Sequence, residues 1–217
     1  MLRVLTIPSL IFGLSACSGQ SGSPQFSASG YIADNGVVRL WREDNARQQP
    51  IVLMSVYSPY TGDNTQITFY EYQNGFLREV RRNDLGHNPQ SVRLRFDEQG
   101  QVSFMQRQLP ERREQLSTDD IAVYRLEAKR ILELSSALRA GNVRLIQGHW
   151  QDGVVTTCDK KTLRLSLDDN AQSWLTKRGE NSAQPPGVAW LASPKGQQLL
   201  LVANQDFCRW EPKAGSL

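Results

Sequence analysis

Histidine is nearly missing from this chain: His87 and His149 are the only two among 217 residues. A hydrolytic triad needs a histidine to take the proton of its nucleophile, and neither residue stands in a supporting motif. His87 lies in the turn-rich run Asn83-Asp84-Leu85-Gly86-His87-Asn88-Pro89, and His149 precedes Trp150 at a strand end. G-x-S-x-G is absent, which argues against a serine hydrolase. H-E-x-x-H, C-x-x-C, phosphate-cradling glycine loops and dinucleotide fingerprints are absent too, so nothing points to zinc hydrolysis, dithiol exchange or nucleotide chemistry. The pairs Asp119-Asp120 and Asp168-Asp169 are adjacent in the chain, and adjacent carboxyls do not face one another across a glycoside. Both pairs start helices, where carboxylates suit the dipole. The sequence predicts a non-enzymatic protein with no catalytic residue, no cofactor and no metal.

Long apolar runs are equally scarce. Residues 4–14 form one of about a dozen, short of the roughly 20 needed to span a bilayer. Arg3 precedes that run and Leu14-Ser15-Ala16-Cys17 closes it, the order of a secretory signal. The closing motif resembles the bacterial lipoprotein consensus, so residues 1–16 are expected to be a lipoprotein signal peptide and Cys17 the lipidated first residue of the mature chain. Ser18, in place of the aspartate that marks inner-membrane retention in enteric lipoproteins, implies the outer membrane. Residues 17–25 then read as lipidated cysteine and flexible Gly/Ser tether, with a reach of roughly 16 Å. The expected address is the periplasmic face of the outer membrane, with the membrane as partner through the lipid.

Charge of one sign is also lacking. There are 25 basic and 22 acidic residues, and loss of Arg3 leaves the mature chain near +2. No polyanion partner is demanded, and the compartment excludes nucleic acid. Between Arg78 and Arg113 the basic residues are all arginine, but Glu79, Asp84, Asp97, Glu98, Glu111 and Glu114 interleave with them, the pattern of a solvated strand face. With Cys17 taken by lipid, Cys158 and Cys208 are the remaining cysteines. In an oxidising compartment they should pair, closing a loop of about 50 residues worth roughly 4 kcal/mol in the loop-closure picture.

What remains is a β-rich body. Strand signals at 26–33, 37–42, 51–58, 65–72, 76–82, 91–96 and 101–109 are separated by turn residues, among them Asn35-Gly36 and Asn74-Gly75, read as supplying positive φ in tight hairpins. Ser91-Val92-Arg93-Leu94-Arg95-Phe96 alternates as a strand with one wet side should. A helix capped by Ser117 or Thr118 carries Ile121, Tyr124, Ala128, Ile131, Leu132, Ser135 and Leu138 on one stripe and stops at Gly141. Strands return at 143–150, 154–167, 188–192 and 197–203, with a short helix at 169–177. The fold class expected is α+β, mainly β: an antiparallel β-meander covered by one amphipathic helix (26–140), followed by a smaller disulfide-stapled β unit (141–217). The two β regions could form two subdomains or one continuous sheet. Trp41, Tyr57, Tyr60, Tyr70 and Tyr72 are the candidate binding aromatics, although strand aromatics are more often core.

Phe26-Ser27-Ala28-Ser29-Gly30-Tyr31-Ile32-Ala33-Asp34-Asn35-Gly36-Val37-Val38-Arg39-Leu40-Trp41-Arg42 behind a lipobox, followed by Val56-Tyr57-Ser58-Pro59-Tyr60-Thr61-Gly62 and the late cysteine pair, resembles the uncharacterised YjaH-like lipoproteins of gammaproteobacteria. The resemblance spans most of the mature chain and implies an envelope address; that family carries no activity to transfer. The function expected is an envelope interaction or assembly protein, with binding or carriage of a small apolar or glycan ligand as the alternative. Cys17→Ala should abolish incorporation of labelled fatty acid and move the protein from the membrane to the soluble fraction. Unchanged labelling would refute the lipobox.

Overall fold

The computed structural model describes residues 25–217; the signal segment, Cys17 and the tether up to residue 24 lie outside the described residues. Eight strands follow one another in an antiparallel sheet ordered as in sequence: β1 (Phe26–Ala33), β2 (Gly36–Asp44), β3 (Pro50–Pro59), β4 (Gln66–Gln73), β5 (Phe76–Asp84), β6 (Gln90–Phe96), β7 (Val102–Gln108) and β8 (Arg113–Glu114). Helix α1 (Thr118–Ala140) leads into a second sheet of β9 (Arg144–Gln151), β10 (Val154–Thr157), β11 (Thr162–Leu163), β12 (Gly187–Ser193) and β13 (Gly196–Ala203), in the order β11-β10-β9-β12-β13. Helix α2 (Asp169–Glu180) carries the chain from β11 across to the other side of β9, and a 3-10 turn at Phe207–Arg209 follows β13. The fold is mainly β, with the meander, its covering helix and the stapled C-terminal unit all present.

The layering exceeds what the sequence predicts. Period-2 alternation suggests a meander with one dry side, and β6 behaves so: Val92, Leu94 and Phe96 are buried under α1, while Arg93 and Arg95 face water. Strand β2 does not. Its even positions Val38 and Leu40 join Leu53, Tyr70 and Ile131 beneath α1. Its odd positions Val37 and Trp41 join Met54, Val56, Leu145, Leu191 and Phe207 against the second sheet. The second sheet in turn buries Trp150, Val155, Val188 and Trp190 around Leu175 of α2. Four layers result, helix on sheet on sheet on helix, with three apolar seams. The two β regions are therefore neither separate subdomains nor one continuous sheet, but two sheets sharing a core.

Local chemistry explains most element ends. Ser117 is the N-cap of α1: its hydroxyl accepts from the Asp120 amide at 3.0 Å, and its own amide donates to Asp120 Oδ2 at 3.0 Å, a reciprocal capping box. The Asn74-Gly75 hairpin has both residues at positive φ, as its turn demands. Asn35-Gly36 does not. The turn is Asp34-Asn35 with neither residue at positive φ, and Gly36 is already in β2. What that position requires is space, since a Cβ there would lie 2.5 Å from Ser58 O and 2.7 Å from the Tyr57 ring. The predicted strand 154–167 breaks after Thr157, whose hydroxyl accepts from the Lys161 amide at 3.0 Å, with Lys160 at positive φ inside the turn.

One charged cluster fastens α1 to the sheet. Arg42 Nε donates to Asp44 at 2.7 Å, Arg42 Nη1 donates to Ser135 and Ser136 at 3.1 and 2.8 Å, and Arg139 pairs with the other Asp44 oxygen. The Asp44 side chain is fully buried. Removing one partner of such a cluster strands the others in low dielectric. Asp44→Ala should destabilise the fold by about 3–5 kcal/mol in urea titration. Glu133→Ala, at the exposed Lys129–Glu133 pair, should cost under about 0.5 kcal/mol. Equal effects would dismiss the cluster as a fastening.

Candidate functional site

Beyond β13 the chain runs back between the sheets, and the most elaborate polar chemistry of the described residues gathers on it. Asp206 caps the 3-10 turn by accepting from the Cys208 amide at 2.9 Å, Phe207 is fully buried, and Cys208 is bonded to Cys158 in the turn after β10. The predicted disulfide thus ties this C-terminal segment to the second sheet. Gly187 lets it approach, because a Cβ there would meet the Gln205 carbonyl and the Phe207 ring.

Arg39, in the middle of β2, is 1% exposed. Its guanidinium lies 4.7 Å from the centroids of both Phe207 and Trp210, an aromatic clamp on a desolvated cation. Nη1 donates to Gln147 Oε1 at 2.8 Å and Nη2 to Ser58 Oγ at 3.3 Å. Gln147 passes the contact on, its Nε2 donating to Glu211 Oε1 at 2.9 Å. Burial pushes the Arg39 guanidinium down to about 10, with Glu211 opposing; burial pushes the Glu211 carboxyl up, against the hydrogen bond from Gln147. Cation and carboxylate do not touch. They communicate through an amide that accepts from one and donates to the other.

Beside this network a groove of about 650 Å³ opens along the seam. Phe26 and Ala28 of β1, Trp41, Leu145 and Ile146, with Leu163, give it apolar walls; Arg144, Asp159, Lys161, Glu211 and Lys213 supply charge. Trp41 is fully buried behind that wall, and its indole N–H has no hydrogen-bond partner among the described residues. A volume of that size suits a small molecule or an extended peptide segment.

A family described as "protein of unknown function (DUF1481)" matches residues 28–213. The chain belongs to this family. It is also 42% identical over 201 residues, covering 92% of this chain and 86% of the relative, to "Uncharacterized protein YjaH" of Escherichia coli (strain K12). No solved structure matches the chain. The DUF1481 match reaches from β1 to Lys213, so it takes in both sheets, both cysteines and the Arg39–Gln147–Glu211 network.

In this member of DUF1481 the aromatics singled out from sequence do not form one wall. Trp41 faces the second sheet. Tyr70 and Tyr72 are buried on the opposite face beneath α1, where the Tyr72 hydroxyl donates to the Ala128 carbonyl at 3.2 Å. Tyr57 is half-buried and donates to the Asn35 carbonyl at 3.0 Å, and Tyr60 is exposed at the sheet end. The histidines lie in different halves. His87 is exposed and paired with Asp63 at 2.9 Å, which raises its pKa. His149 contacts Asp206 at 3.0 Å through Nε2, with Nδ1 4.0 Å from Cys208 Sγ. Ligand atoms of His149, Asp206 and Cys208 lie within 4.8 Å of one another, but the sulfur is committed to the disulfide, so the cluster offers a metal one imidazole and one carboxylate.

Arg39, Gln147, Phe207, Trp210 and Glu211 escape sequence reasoning. The usable signal is an arginine set within Val37-Val38-Arg39-Leu40-Trp41, where alternation alone would ask for an apolar side chain facing the partner sheet. Glu211 carries a pH consequence. Its folded pKa exceeds its unfolded one, so the native state binds the proton more tightly and stability falls as pH rises from about 4.5 through the raised value. Glu211→Gln should stabilise the protein at pH 7 relative to the parent and flatten that part of the pH–stability curve, as thermal melts from pH 4 to 7 would show. An unchanged slope would remove Glu211 as its source.

Proposed function

We propose that this chain is a lipid-anchored, non-enzymatic protein of the cell envelope, held on the periplasmic face of the outer membrane, and that its seam groove receives an extended segment of an envelope protein. One observation carries the reading. The groove is open to solvent, walled by apolar side chains from both sheets and edged by Lys161, Lys213, Arg144 and Asp159, an apolar floor with a polar rim of the kind that serves protein recognition. The surrounding seams are packed with Trp41, Met54, Val56, Leu191 and Phe207, so the groove lies against a filled core. The Gly/Ser tether inferred ahead of Phe26 would hold the groove within roughly 16 Å of the anchor.

The lining supports a second reading, in which the occupant is a small amphipathic ligand: its apolar part would lie on Phe26, Leu145 and Leu163 while Lys161 and Lys213 at the rim hold its charge. The two readings part on what is captured. Photo-crosslinking probes at Lys161 and Lys213, both exposed, should give one discrete protein adduct in cells, whereas a probe at Val123 on the outer face of α1 should give none. Lipid or glycan adducts at the two lysines would establish the ligand reading instead. Adducts at Val123 alone would place the interaction elsewhere and end both.

A further inference from the structure

The Cys158–Cys208 bridge lies between two different surfaces. Cys158 lines the seam groove. His149 and Asp206 line a second cleft of about 460 Å³ beside the C-terminal segment, and His149 Nδ1 is 4.0 Å from Cys208 Sγ while Nε2 is 3.0 Å from Asp206 Oδ1. Both cysteines are partly exposed. An imidazole paired with a carboxylate and placed at one sulfur of a partly exposed disulfide is an arrangement that can assist thiol–disulfide exchange. From this geometry we infer that Cys158–Cys208 is a thiol–disulfide exchange centre, in which an external dithiol attacks Cys158 from the groove and His149, positioned by Asp206, serves Cys208 as the leaving sulfur.

The chemistry balances with the dithiol as reductant. Its thiolate bonds to Cys158 Sγ, the electron pair of the S–S bond moves to Cys208 Sγ, and the imidazolium of His149 gives that sulfur its proton. The second thiol of the dithiol then displaces Cys158 from the mixed disulfide, releasing its own proton to solvent, and the Cys158 thiolate takes one up. The dithiol sheds two protons to solvent, the first as its attacking thiolate forms, and solvent returns two, one to Cys158 and one that restores the His149 imidazolium; the protein thus gains two electrons and two protons, the dithiol becomes a disulfide, and the reverse sequence re-forms the bridge. Leaving-group stabilisation controls the rate of such exchange, and an adjacent imidazolium lowers the pKa of a cysteine. Asp206 touches neither sulfur in the reaction and acts as a positioning residue, fixing the His149 ring so that Nδ1 faces Cys208. The other charges on the elements around the sulfurs are Asp159, Lys160 and Lys161 in the turn that carries Cys158, with Asp159 and Lys161 paired at 2.7 Å, Arg144 on β9, and Arg209, Glu211 and Lys213 on the C-terminal segment. Among the described residues it is Cys208 Sγ that lies against Nδ1.

The centre is tested on the folded, oxidised mature chain by timing its opening in excess dithiothreitol, quenching with a maleimide and weighing the products. His149→Gln should slow opening at least about tenfold in mildly acidic buffer, Asp206→Asn should slow it by less, and the gap should narrow in alkaline buffer, where an imidazole has no proton to give. Equal rates in parent and His149→Gln across that range overturn the inference, as does opening that keeps pace with global unfolding in both. A second measurement does not depend on the bridge. In Cys158→Ser the free Cys208 should react with iodoacetamide with a half-maximal pH below the ordinary thiol value of about 8.5, and adding His149→Gln should move that midpoint upward; a midpoint indifferent to His149 also overturns it.

Discussion

Burying Arg39, Arg42 and Asp44 on one strand sets the terms for everything around it. Each is under 5% exposed, and a buried charge must find a partner or cost several kcal/mol. On the α1 side, Arg42 and Asp44 are answered by Ser135, Ser136 and Arg139. On the other side, Arg39 is answered by Gln147 of β9 and by the rings of Phe207 and Trp210. Strand β2 is thereby specified from both faces by residues that lie from about 90 to about 170 positions away, and the four-layer arrangement follows, because a second sheet and a returning C-terminal segment supply the partners on the face that α1 does not reach.

The C-terminal segment joins three kinds of interaction that are separate elsewhere in the molecule. It fills the seam with Phe207, clamps a cation with Phe207 and Trp210, and is covalently held by Cys208. The segment lines the groove with Glu211 and Lys213 and the second cleft with Asp206, so the two candidate sites share a single structural support. A ligand or partner that shifts Glu211 or Lys213 in the groove also acts on the segment that presents Asp206 and Cys208.

Legibility from sequence follows how local the cause is. Hairpin positions, the α1 stripe and its Gly141 stop, and the pairing of the two cysteines are dictated by neighbours or by a small number of possibilities, and they are present in the structure. Double burial is a tertiary property. Gly36-Val37-Val38-Arg39-Leu40-Trp41-Arg42-Glu43-Asp44 shows no period-2 contrast between its faces, and its charges disguise how dry the strand is. Gly36 shows the same limit on a smaller scale: Asn-Gly is a turn signal, yet here the glycine answers the backbone of β3, a constraint the dipeptide cannot reveal. The Arg39–Gln147–Glu211 relay joins residues 108 and 64 positions apart, and no local pattern connects them.

Those separations also bear on the order of assembly. Synthesis proceeds from the N-terminus, and the first sheet with α1 can form its seam from residues up to 140 as soon as they emerge. Val37, Trp41, Met54 and Val56, with Arg39 among them, then wait for β9, β12 and Phe207 to cover them. Until β9 and β12 have emerged, that face of the central sheet is apolar and bare, and until Phe207 and Trp210 follow, the cation at its middle lacks its aromatic clamp. The nascent chain is therefore open to capture by a chaperone, or by another copy of itself, for the whole interval between the two sheets.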